Sequence, residues 1–295
     1  MPSLKQSRRP ARLISEVSRL ALLYPASLVL GLKDRLHFRD LQTFVLFVGS
    51  SRSGHSLVGS LLDAHPNIVM AHEMGVLKFV RAGYIRSQVC TLLRRNSIAF
   101  TAAGRESKRY NYQVPNQWQG RSSRILVLGD NMAEGATRRL RQKPELLRRL
   151  ETVMGVPVKL IQVVRNPFDS ISTIALRTRK SQLASDLNQS AEFYFSLCET
   201  VKVIRNEAGS DNLFELRHET LIDSSRQHLT RLCGFFGLEA TSNYLDDCTS
   251  IIYPSPHRSR HEASWTPELI EQIQDRMASF DFLRGYSFED RGPTA

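Results

Sequence analysis

The stretch FVLFVGSSRSGHSLVGSLLDAHPNI, residues 44–68, determines the predicted fold. It opens with a continuous apolar run, which is typical of a parallel strand covered on both faces. A glycine-punctuated loop follows, and apolar residues then recur at helical spacing until Pro66 ends the helix. A strand, a glycine-rich loop and a helix in this order are the parts of a phosphate-binding P-loop.

The loop GSSRSGHS differs from that of nucleoside triphosphatases, because His55 occupies the position of their lysine. Gly49 and Gly54 allow a tight turn and a close approach of the backbone to a ligand. Arg52 is the nearest cation, and an arginine can bind a tetrahedral anion through two parallel hydrogen bonds. The loop therefore predicts an anion site without the lysine and magnesium that hold a γ-phosphate.

The rest of the chain alternates strands with helices. Strands are predicted at 43–48, 68–70, 124–128, 158–164 and 213–217, and helices at 76–95, 137–154, 184–206, 224–236 and 267–280. Residues 96–122 are polar and are expected to form a long loop. Alternation of this kind predicts an α/β fold of the P-loop type, with three layers in which helices flank a central parallel sheet.

The chain of 295 residues carries 40 Lys and Arg against 29 Asp and Glu, a net charge of +11. This balance favours a polyanionic partner: a nucleotide, a nucleic acid, an anionic glycan or an anionic lipid. The basic stretch 137–150 lacks interleaved aromatic residues, so no specific nucleic-acid partner is predicted. Four scattered cysteines without a C-x-x-C pair predict neither a disulfide framework nor a metal site, and they favour a reducing, cytoplasmic compartment.

The N-terminus divides the chain into a basic arm at 1–40 and an α/β domain at 41–295. The apolar run at 20–32 has 13 residues, whereas a helix that crosses a bilayer needs about 20. Two interpretations remain open: an amphipathic arm on an anionic membrane surface, or a helix packed on the domain. Peripheral membrane association through the arm is therefore one expectation.

A second cluster of anion-binding residues follows the strand at 158–164, in the stretch VKLIQVVRNPFDSIST. Arg165 ends the strand, and Thr173 lies in the first turns of the next helix. Ligands of open parallel sheets bind at the carboxyl ends of the strands, so one ligand with two anionic groups can bridge this cluster and the P-loop. The alternative for Arg165 is a salt bridge with Asp169.

The chain resembles the sulfotransferases that use 3′-phosphoadenosine 5′-phosphosulfate over roughly residues 43–290. The resemblance rests on GSSRSGHS, LLDAHPNI followed by HE, RNPFDS after a strand, and SWTPELIEQI with FLRGYSF. It is greatest to the tyrosylprotein and bacterial branches, whose loop carries Arg-Ser-Gly. Such enzymes move a sulfuryl group to a hydroxyl or an amine. The resemblance therefore implies an acceptor molecule that is a carbohydrate, a lipid or a protein.

The resemblance also implies the roles of individual residues, and it implies no metal. The 5′-phosphosulfate would lie on Ser51, Arg52, Ser53, Gly54, His55 and Ser56. Arg165 and Thr173 would hold the 3′-phosphate. Arg258 and Arg260, in the basic loop SPHRSRHEASW, would close over the donor.

Glu73 matches the catalytic glutamate of the tyrosylprotein branch, and Arg52 would stabilise the charge of the transition state. His72 is an alternative base, and the alternative for Glu73 is a surface residue paired with Lys78. Two departures from the family pattern are His55, where threonine is usual, and Asn131, where relatives carry a lysine. Arg138 or Arg139 is expected to substitute for that lysine.

Two other functions compete with the sulfotransferase prediction. A P-loop kinase or nucleotidase is disfavoured by the missing lysine and by the lack of an evident magnesium-binding aspartate. A binding protein of the same fold with weak catalysis is suggested by His55 and Asn131. Residues 96–122 and the loop after Leu176 are expected to line the acceptor side, because inserted loops at strand ends set specificity.

Overall fold

A computed structural model describes residues 8–107, 110–180 and 186–289. The strands are β1 (Thr43–Val48), β2 (Ile68–Ala71), β3 (Glu106–Ser107), β4 (Tyr110–Asn111), β5 (Val127–Asp130), β6 (Val158–Val164) and β7 (Leu213–Arg217). Five of them form one sheet in the order β2-β5-β1-β6-β7, and every pair in it is parallel. Strand β1, which carries the P-loop, therefore lies at the centre of the sheet.

Twelve helices are described. They are α1 (Arg8–Asp34), α2 (His55–Asp63), α3 (Leu77–Arg81), α4 (Arg86–Ala102), α5 (Ala133–Gln142), α6 (Leu146–Met154), α7 (Pro167–Lys180), α8 (Leu187–Ala208), α9 (His218–Asp223), α10 (Ser225–Phe235), α11 (Ser242–Ser250) and α12 (Pro267–Met277). Short 3-10 turns lie at Arg35–Phe38, Ser210–Asn212, Ser259–Glu262 and Asp281–Leu283.

Strand β1 shows why the molecule has three layers, because all six of its residues are buried. Phe44, Leu46 and Val48 join an apolar cluster with helices α3 to α6 on one face of the sheet. Val45 and Phe47 join another cluster with α2 and α9 to α11 on the opposite face. Alternate side chains of a strand point to opposite faces, so a continuous apolar run requires helices on both sides. The predicted three-layer α/β fold is confirmed.

A third apolar cluster holds the carboxyl end of β6 and the segment after α11. Trp265 packs edge-on against Phe168 of α7, with ring centroids 5.1 Å apart, and its indole nitrogen donates to Ser172 Oγ at 2.9 Å. Asn166 Nδ2 donates to the carbonyl of Ser287. These contacts hold the start of α7, beside Arg165, against Trp265 and the backbone of Ser287.

Helix α1 packs along α4. Tyr84 donates its hydroxyl to the carbonyl of Leu20 at 2.6 Å, and Gln88 donates to the carbonyl of Tyr24 at 2.9 Å. A Cβ at Gly31 would lie 2.9 Å from the backbone of Ser87, so glycine permits the close approach of the two helices. Within the described part of the chain, no helix is both long and apolar enough to cross a membrane.

Several predicted boundaries were wrong. The single helix predicted at 137–154 is two helices, α5 and α6, because Pro144 between them cannot continue a helix. The strand predicted at 124–128 begins at Val127. The helix predicted at 76–95 is interrupted near Gly83, whose φ is +84°.

The first part of the loop predicted at 96–122 forms regular structure, because the buried carboxylate of Asp63 organises it, whereas residues 112–122 form no helix or strand. Ser97 donates to Asp63 at 2.7 Å, and Arg105 forms a buried salt bridge with the same carboxylate. Helix α4 therefore continues through Ala102, and the hairpin of β3 and β4 follows it.

Candidate active site

The P-loop connects β1 with α2 through residues 49–54. Three of these residues have positive φ: Gly49 at 128°, Arg52 at 71° and Gly54 at 97°. A Cβ at Gly54 would lie 2.5 Å from Nδ1 of His218, so only glycine fits there. The amide N–H groups at the start of α2 and the positive end of its dipole are the features that favour an anion at such a turn, as the sequence predicts.

Arg165, which follows β6, reaches across to the P-loop. Its Nη1 donates to the carbonyl of Arg52 at 3.2 Å, and its Nη2 donates to the carbonyl of His257. Its Nε is buried and has no hydrogen-bond partner among the described residues. Asp169 lies 4.0 Å from Nη2, the outer limit of an ion pair. The Nε–H of Arg165 therefore remains as a hydrogen-bond donor. The alternative prediction, a simple salt bridge with Asp169, accounts for little of the geometry of this side chain.

Thr173 lies beside Arg165 on α7. Its Oγ1 donates to the carbonyl of Asp169 at 2.7 Å and lies 2.7 Å from Ser259 Oγ. These two hydroxyls connect α7 with the turn Ser259–Glu262 next to the guanidinium. Each hydroxyl carries one proton, which it donates to the carbonyl of Asp169, so it can donate to a phosphate oxygen only by turning away from that carbonyl.

Both anion clusters open into one cleft of about 640 Å³. Arg52, His55 and Glu73 line one part of it, and Arg165 and Thr173 line another. This volume lies within the usual range of about 300–1,000 Å³ for small-molecule sites. The predicted anion sites are therefore parts of a single pocket.

Glu73 lies at the mouth of the P-loop, with a side chain that is 40% exposed. Its Oε1 accepts a hydrogen bond from Ser56 Oγ at 2.9 Å, and His55 Nε2 is 3.7 Å away. The hydrogen bond and charge of His55, with the Ser56 hydroxyl, lower the pKa of Glu73 to about 2 against the opposing effect of burial. The carboxylate is therefore ionised at neutral pH and points into the cleft.

The alternatives to Glu73 fit less well. Lys78 donates its ammonium to the carbonyl of Met74 at 2.6 Å, so its contact is not the predicted pair with Glu73. The ring of His72 stacks on Phe100, with centroids 3.9 Å apart, and is not among the described residues that line the cleft. Glu73 is the carboxylate beside the P-loop.

Asn131 has a different place from the one the family pattern suggests. It is buried, and its Oδ1 accepts from the backbone N–H of Glu73 at 2.7 Å. Arg138 pairs with Glu134 and Arg139 pairs with Glu16, so the expected substitute cations are engaged on α5 and α1. Asn131 positions the backbone of Glu73.

Arg260 is 1% exposed and points into the protein. Its Nη1 and its backbone N–H both donate to Asp169, at 2.7 and 2.9 Å. Neither Arg260 nor Arg258 is among the described residues that line the cleft, to which the same loop contributes His257 and Ser259. Arg260 therefore fixes the loop against α7, which differs from the expected contact with the donor.

The two remaining P-loop serines also lie outside the described lining of the cleft. Ser53 is buried, and its hydroxyl donates to the carbonyl of Ser50 at 3.2 Å and lies 3.4 Å from His55 Nδ1. Ser51 is half-buried. The hydroxyl of Ser53 shapes the loop from within.

Sequence reasoning missed His218, the first residue of α9. It lines the cleft against Gly54, and its Nδ1 is buried without a hydrogen-bond partner among the described residues. Burial and the charge of Arg165 lower the pKa of His218 to about 3, so the ring is neutral. Its position directly after β7 is the signal that could have identified it, because Arg165 was found in the same way.

Three tyrosines also line the cleft. The ring of Tyr110 lies 4.6 Å from that of Tyr112 and 4.9 Å from that of Tyr253. Two of them come from the segment 96–122, and Leu176 lines the cleft as well; residues 181–185, which follow α7, lie outside the described part of the chain. Among the described residues, no group of three or more His, Cys, Asp or Glu side chains is arranged to hold a metal ion.

A sequence model of the sulfotransferase family matches residues 45–242. The chain belongs to the sulfotransferase family. It is therefore a transferase, the predicted family membership is confirmed, and a P-loop kinase or nucleotidase is set aside. No curated protein sequence matches this sulfotransferase.

Solved sulfotransferase structures resemble the fold. The sulfotransferase domain from the curacin biosynthetic pathway is 13% identical, with a TM-score of 0.51, 82% of this chain covered and 99% of that one. Sulfotransferase STF9 of Mycobacterium avium is 11% identical, with a TM-score of 0.51 and coverages of 88% and 81%. Sulfotransferase STF1 of Mycobacterium tuberculosis H37Rv is 12% identical, with a TM-score of 0.51 and coverages of 94% and 87%. At this identity the likeness shows the fold alone.

Proposed function

We propose that this sulfotransferase takes its sulfuryl group from 3′-phosphoadenosine 5′-phosphosulfate and transfers it to a hydroxyl or an amine. The observation that carries the proposal is the contact of Arg165 with the carbonyl of Arg52, at 3.2 Å, inside one cleft. A ligand there meets two cationic clusters at once, and the buried Nε of Arg165 lacks a partner among the described residues. The donor has anionic groups at both its 5′ and 3′ positions.

The 5′-phosphosulfate lies on the P-loop, where Arg52, His55 and Ser56 line the cleft. The amides around Gly54 add donors, and Ser51 and Ser53 support the turn. The 3′-phosphate lies on Arg165 and Thr173. Arg260 acts indirectly by holding Asp169, which leaves Arg165 available.

The transfer is a single displacement at sulfur. The acceptor oxygen attacks the sulfur and forms an O–S bond, while the bond from sulfur to the 5′-phosphate oxygen breaks. Adenosine 3′,5′-bisphosphate leaves with the electron pair, and the acceptor proton passes to the carboxylate of Glu73. Arg52 and His55 stabilise the charge that develops on the leaving phosphate.

The low pKa of Glu73 depends on contacts that the donor competes for. Ser56 donates to Glu73 and His55 lies 3.7 Å from it, and both residues also line the P-loop part of the cleft. When donor oxygens take these contacts, the carboxylate loses the interactions that lower its pKa, and its basicity rises. Donor binding therefore activates the base, and Asn131 keeps the backbone of Glu73 in place.

The acceptor remains a carbohydrate, a lipid or a protein that bears the reacting group. We also propose a cytoplasmic location, which all four cysteines support because each is a free, buried thiol. We propose in addition that the N-terminal arm, residues 1–40, contacts an anionic membrane surface.

Incubation with radiolabelled donor sulfate and a panel of glycan, lipid, steroid and peptide acceptors tests the function. We expect label on at least one acceptor class and an increase in melting temperature with adenosine 3′,5′-bisphosphate. Stabilisation of the protein by ATP with Mg²⁺ but not by the bisphosphate would overturn the assignment of the donor. Tight binding of the bisphosphate without transfer to any acceptor would instead indicate a binding protein.

A further inference from the structure

Exposed apolar side chains concentrate on helix α1. Leu22 is 78% exposed and Val17 is 62% exposed, and Leu36, in the 3-10 turn that follows the helix, is 68% exposed. Val29 and Leu32 are exposed as well. Isolated surface apolar residues are ordinary, but a contiguous set on one element indicates a surface that is covered in function.

The exposed apolar residues of α1 form a continuous stripe. Val17, Ala21, Pro25 and Val29 follow one another at intervals of four, which places them on one side of the helix. The packing face of α1 is a different one, because Leu20 and Leu23 join the apolar cluster with α4. The stripe is therefore not needed for the attachment of α1 to the domain.

The stripe is flanked by exposed cations, Arg19 and Lys33 on α1 and Arg35 and Arg39 just after it. Three acids of this segment are described, and each is paired: Asp34 with Arg95 at 4.0 Å, Asp40 with Arg39 at 3.5 Å and Glu16 with Arg139 at 2.7 Å. An apolar stripe bordered by basic residues is the pattern of a helix that lies in the interface of an anionic membrane.

A groove of about 540 Å³ continues this surface between α1 and α3. Leu20, Tyr24, Pro25 and Tyr84 supply its apolar lining. Val17, Ala21 and Pro25 belong both to this lining and to the exposed stripe. The groove therefore opens directly onto the apolar surface of α1.

Three cations line the same groove: Lys78, Arg81 and Arg139. The carboxylate of Glu16 pairs with Arg139 at 2.7 Å, and Glu16 and Asp130 also act on the charge of Lys78. The ammonium of Lys78 donates to one carbonyl and retains two further N–H donors. Arg81 is exposed at the rim and has no salt bridge to a described residue. Apolar walls with two available cations match an acyl chain with an anionic headgroup.

We propose that α1 lies on an anionic bilayer and that the groove holds one anionic glycerophospholipid. The lipid phosphate lies between Lys78 and Arg81, and an acyl chain lies along Leu20, Tyr24 and Pro25. The exposed stripe enters the interfacial region of the same membrane. This site is separate from the sulfuryl-transfer cleft, so the proposal does not depend on the donor.

Flotation of the full-length protein with vesicles tests the proposal. One set of vesicles is phosphatidylcholine, and in the other about a third of the lipid is phosphatidylglycerol, enough for a strongly negative surface. We expect binding to the anionic vesicles that weakens as salt is added, and little binding to phosphatidylcholine. Equal binding to both compositions, or binding to neither, would overturn it.

Matched variants separate the headgroup site from general charge attraction. Arg81→Glu should weaken binding to the anionic vesicles at least tenfold more than Arg231→Glu, an equal charge change on α10 against the opposite face of the sheet. Leu22→Asp should remove binding by preventing insertion. Equal effects of the two arginine variants would disprove the headgroup site.

Two control measurements complete the test. Affinity for adenosine 3′,5′-bisphosphate should be unchanged in Arg81→Glu and Leu22→Asp, which shows that the variants are folded. If the wild-type chain is a dimer that Leu22→Asp converts to a monomer, the stripe is an interface between copies and the membrane proposal is wrong.

Discussion

Both residues proposed to catalyse the transfer have left-handed backbone conformations. Arg52 has φ of 71° and Glu73 has φ of 47°. Such a conformation costs a residue with a Cβ about 1–2 kcal/mol, although asparagine tolerates it better than most. Strain of this kind persists at functional sites when surrounding contacts impose it, and here Asn131 holds the backbone of Glu73.

This backbone strain predicts which of two variants at Glu73 is the more stable. Glu73→Asn and Glu73→Gln both remove the carboxylate, but only asparagine relieves part of the backbone cost. We expect the Asn variant to be more stable than the Gln variant by about 0.5–1 kcal/mol in urea unfolding. Equal stability, or a more stable Gln variant, would show that the backbone at Glu73 is not strained.

The proposed base predicts a kinetic result. Glu73→Gln should lower kcat by about 10²–10⁴, the usual contribution of a general base. Affinity for adenosine 3′,5′-bisphosphate should change little. Glu145→Gln removes an exposed carboxylate before α6 and is the matched control. A wild-type kcat in Glu73→Gln, measured with radiolabelled donor, would remove Glu73 from the mechanism.

His218 predicts how stability varies with pH. Its pKa is about 3 in the folded state, against about 6.5 for an unfolded histidine. Between these values the unfolded chain binds a proton that the folded chain does not, so His218 lowers stability as pH falls from 6.5 towards 3. In His218→Gln the dependence of unfolding free energy on pH should be shallower, by at most about 1.4 kcal/mol per pH unit.

Urea unfolding at several pH values measures this slope. His37→Gln, which changes an exposed histidine, should leave the slope unchanged. The same slope in the wild type and in His218→Gln would contradict the neutral, buried ring.

The sequence identified positions in the site more reliably than it identified roles. Arg52, Glu73 and Arg165 could be placed because each follows a strand, and the ends of parallel strands meet at one edge. The structure brings all three into one cleft, whereas their catalytic and binding roles stay predictions. The orientation of Arg260 could not be predicted, because it depends on Asp169, which lies 91 residues away.

At the scale of elements, the pair Asp63 and Arg105 organises the segment beside the cleft. Both side chains are buried, and Asp63 also accepts from the backbone N–H of Met70 at 2.6 Å. The pair thus connects α2, β2 and the turn that leads to the hairpin of β3 and β4. It accounts for the order in a segment whose composition predicted a loop.

Removing one partner of this pair should be costly. Arg105→Met leaves the Asp63 carboxylate buried without its cation, and we expect a loss of about 3–5 kcal/mol in urea unfolding. The double variant Asp63→Asn with Arg105→Met should lose less than the two single variants added together. Additive losses would show that the two charges are not coupled.

The strands were predicted more accurately than the helices. Continuous apolar runs marked β1 and β6 at their observed bounds, because a strand covered on both faces has few other sequences available to it. Helix boundaries depended on single residues such as Pro144. The path of residues 96–107 depended on a buried salt bridge that local sequence does not reveal.

At the scale of the whole molecule, the strand order explains why a single cleft can serve both anion clusters. Strand β1 lies beside β6 and runs parallel to it, so their carboxyl ends are neighbours on one edge of the sheet. The P-loop follows the first strand and Arg165 follows the second, which places them next to each other. The net charge of +11 is consistent with anionic ligands. The sequence alone predicted the anion sites of the cleft and left the role of the N-terminal arm open, and it did not predict the groove beside α1.

The most direct test of the account is calorimetric titration with adenosine 3′,5′-bisphosphate and adenosine 5′-monophosphate. Wild-type protein should prefer the bisphosphate, since hydrogen bonds to a charged group contribute about 1.5–3 kcal/mol. Arg165→Gln should remove about 10- to 100-fold of that preference and leave affinity for the monophosphate nearly unchanged, while Arg231→Gln should match the wild type. A wild type that binds both nucleotides equally, or an Arg165→Gln variant that keeps the full preference, would contradict the account.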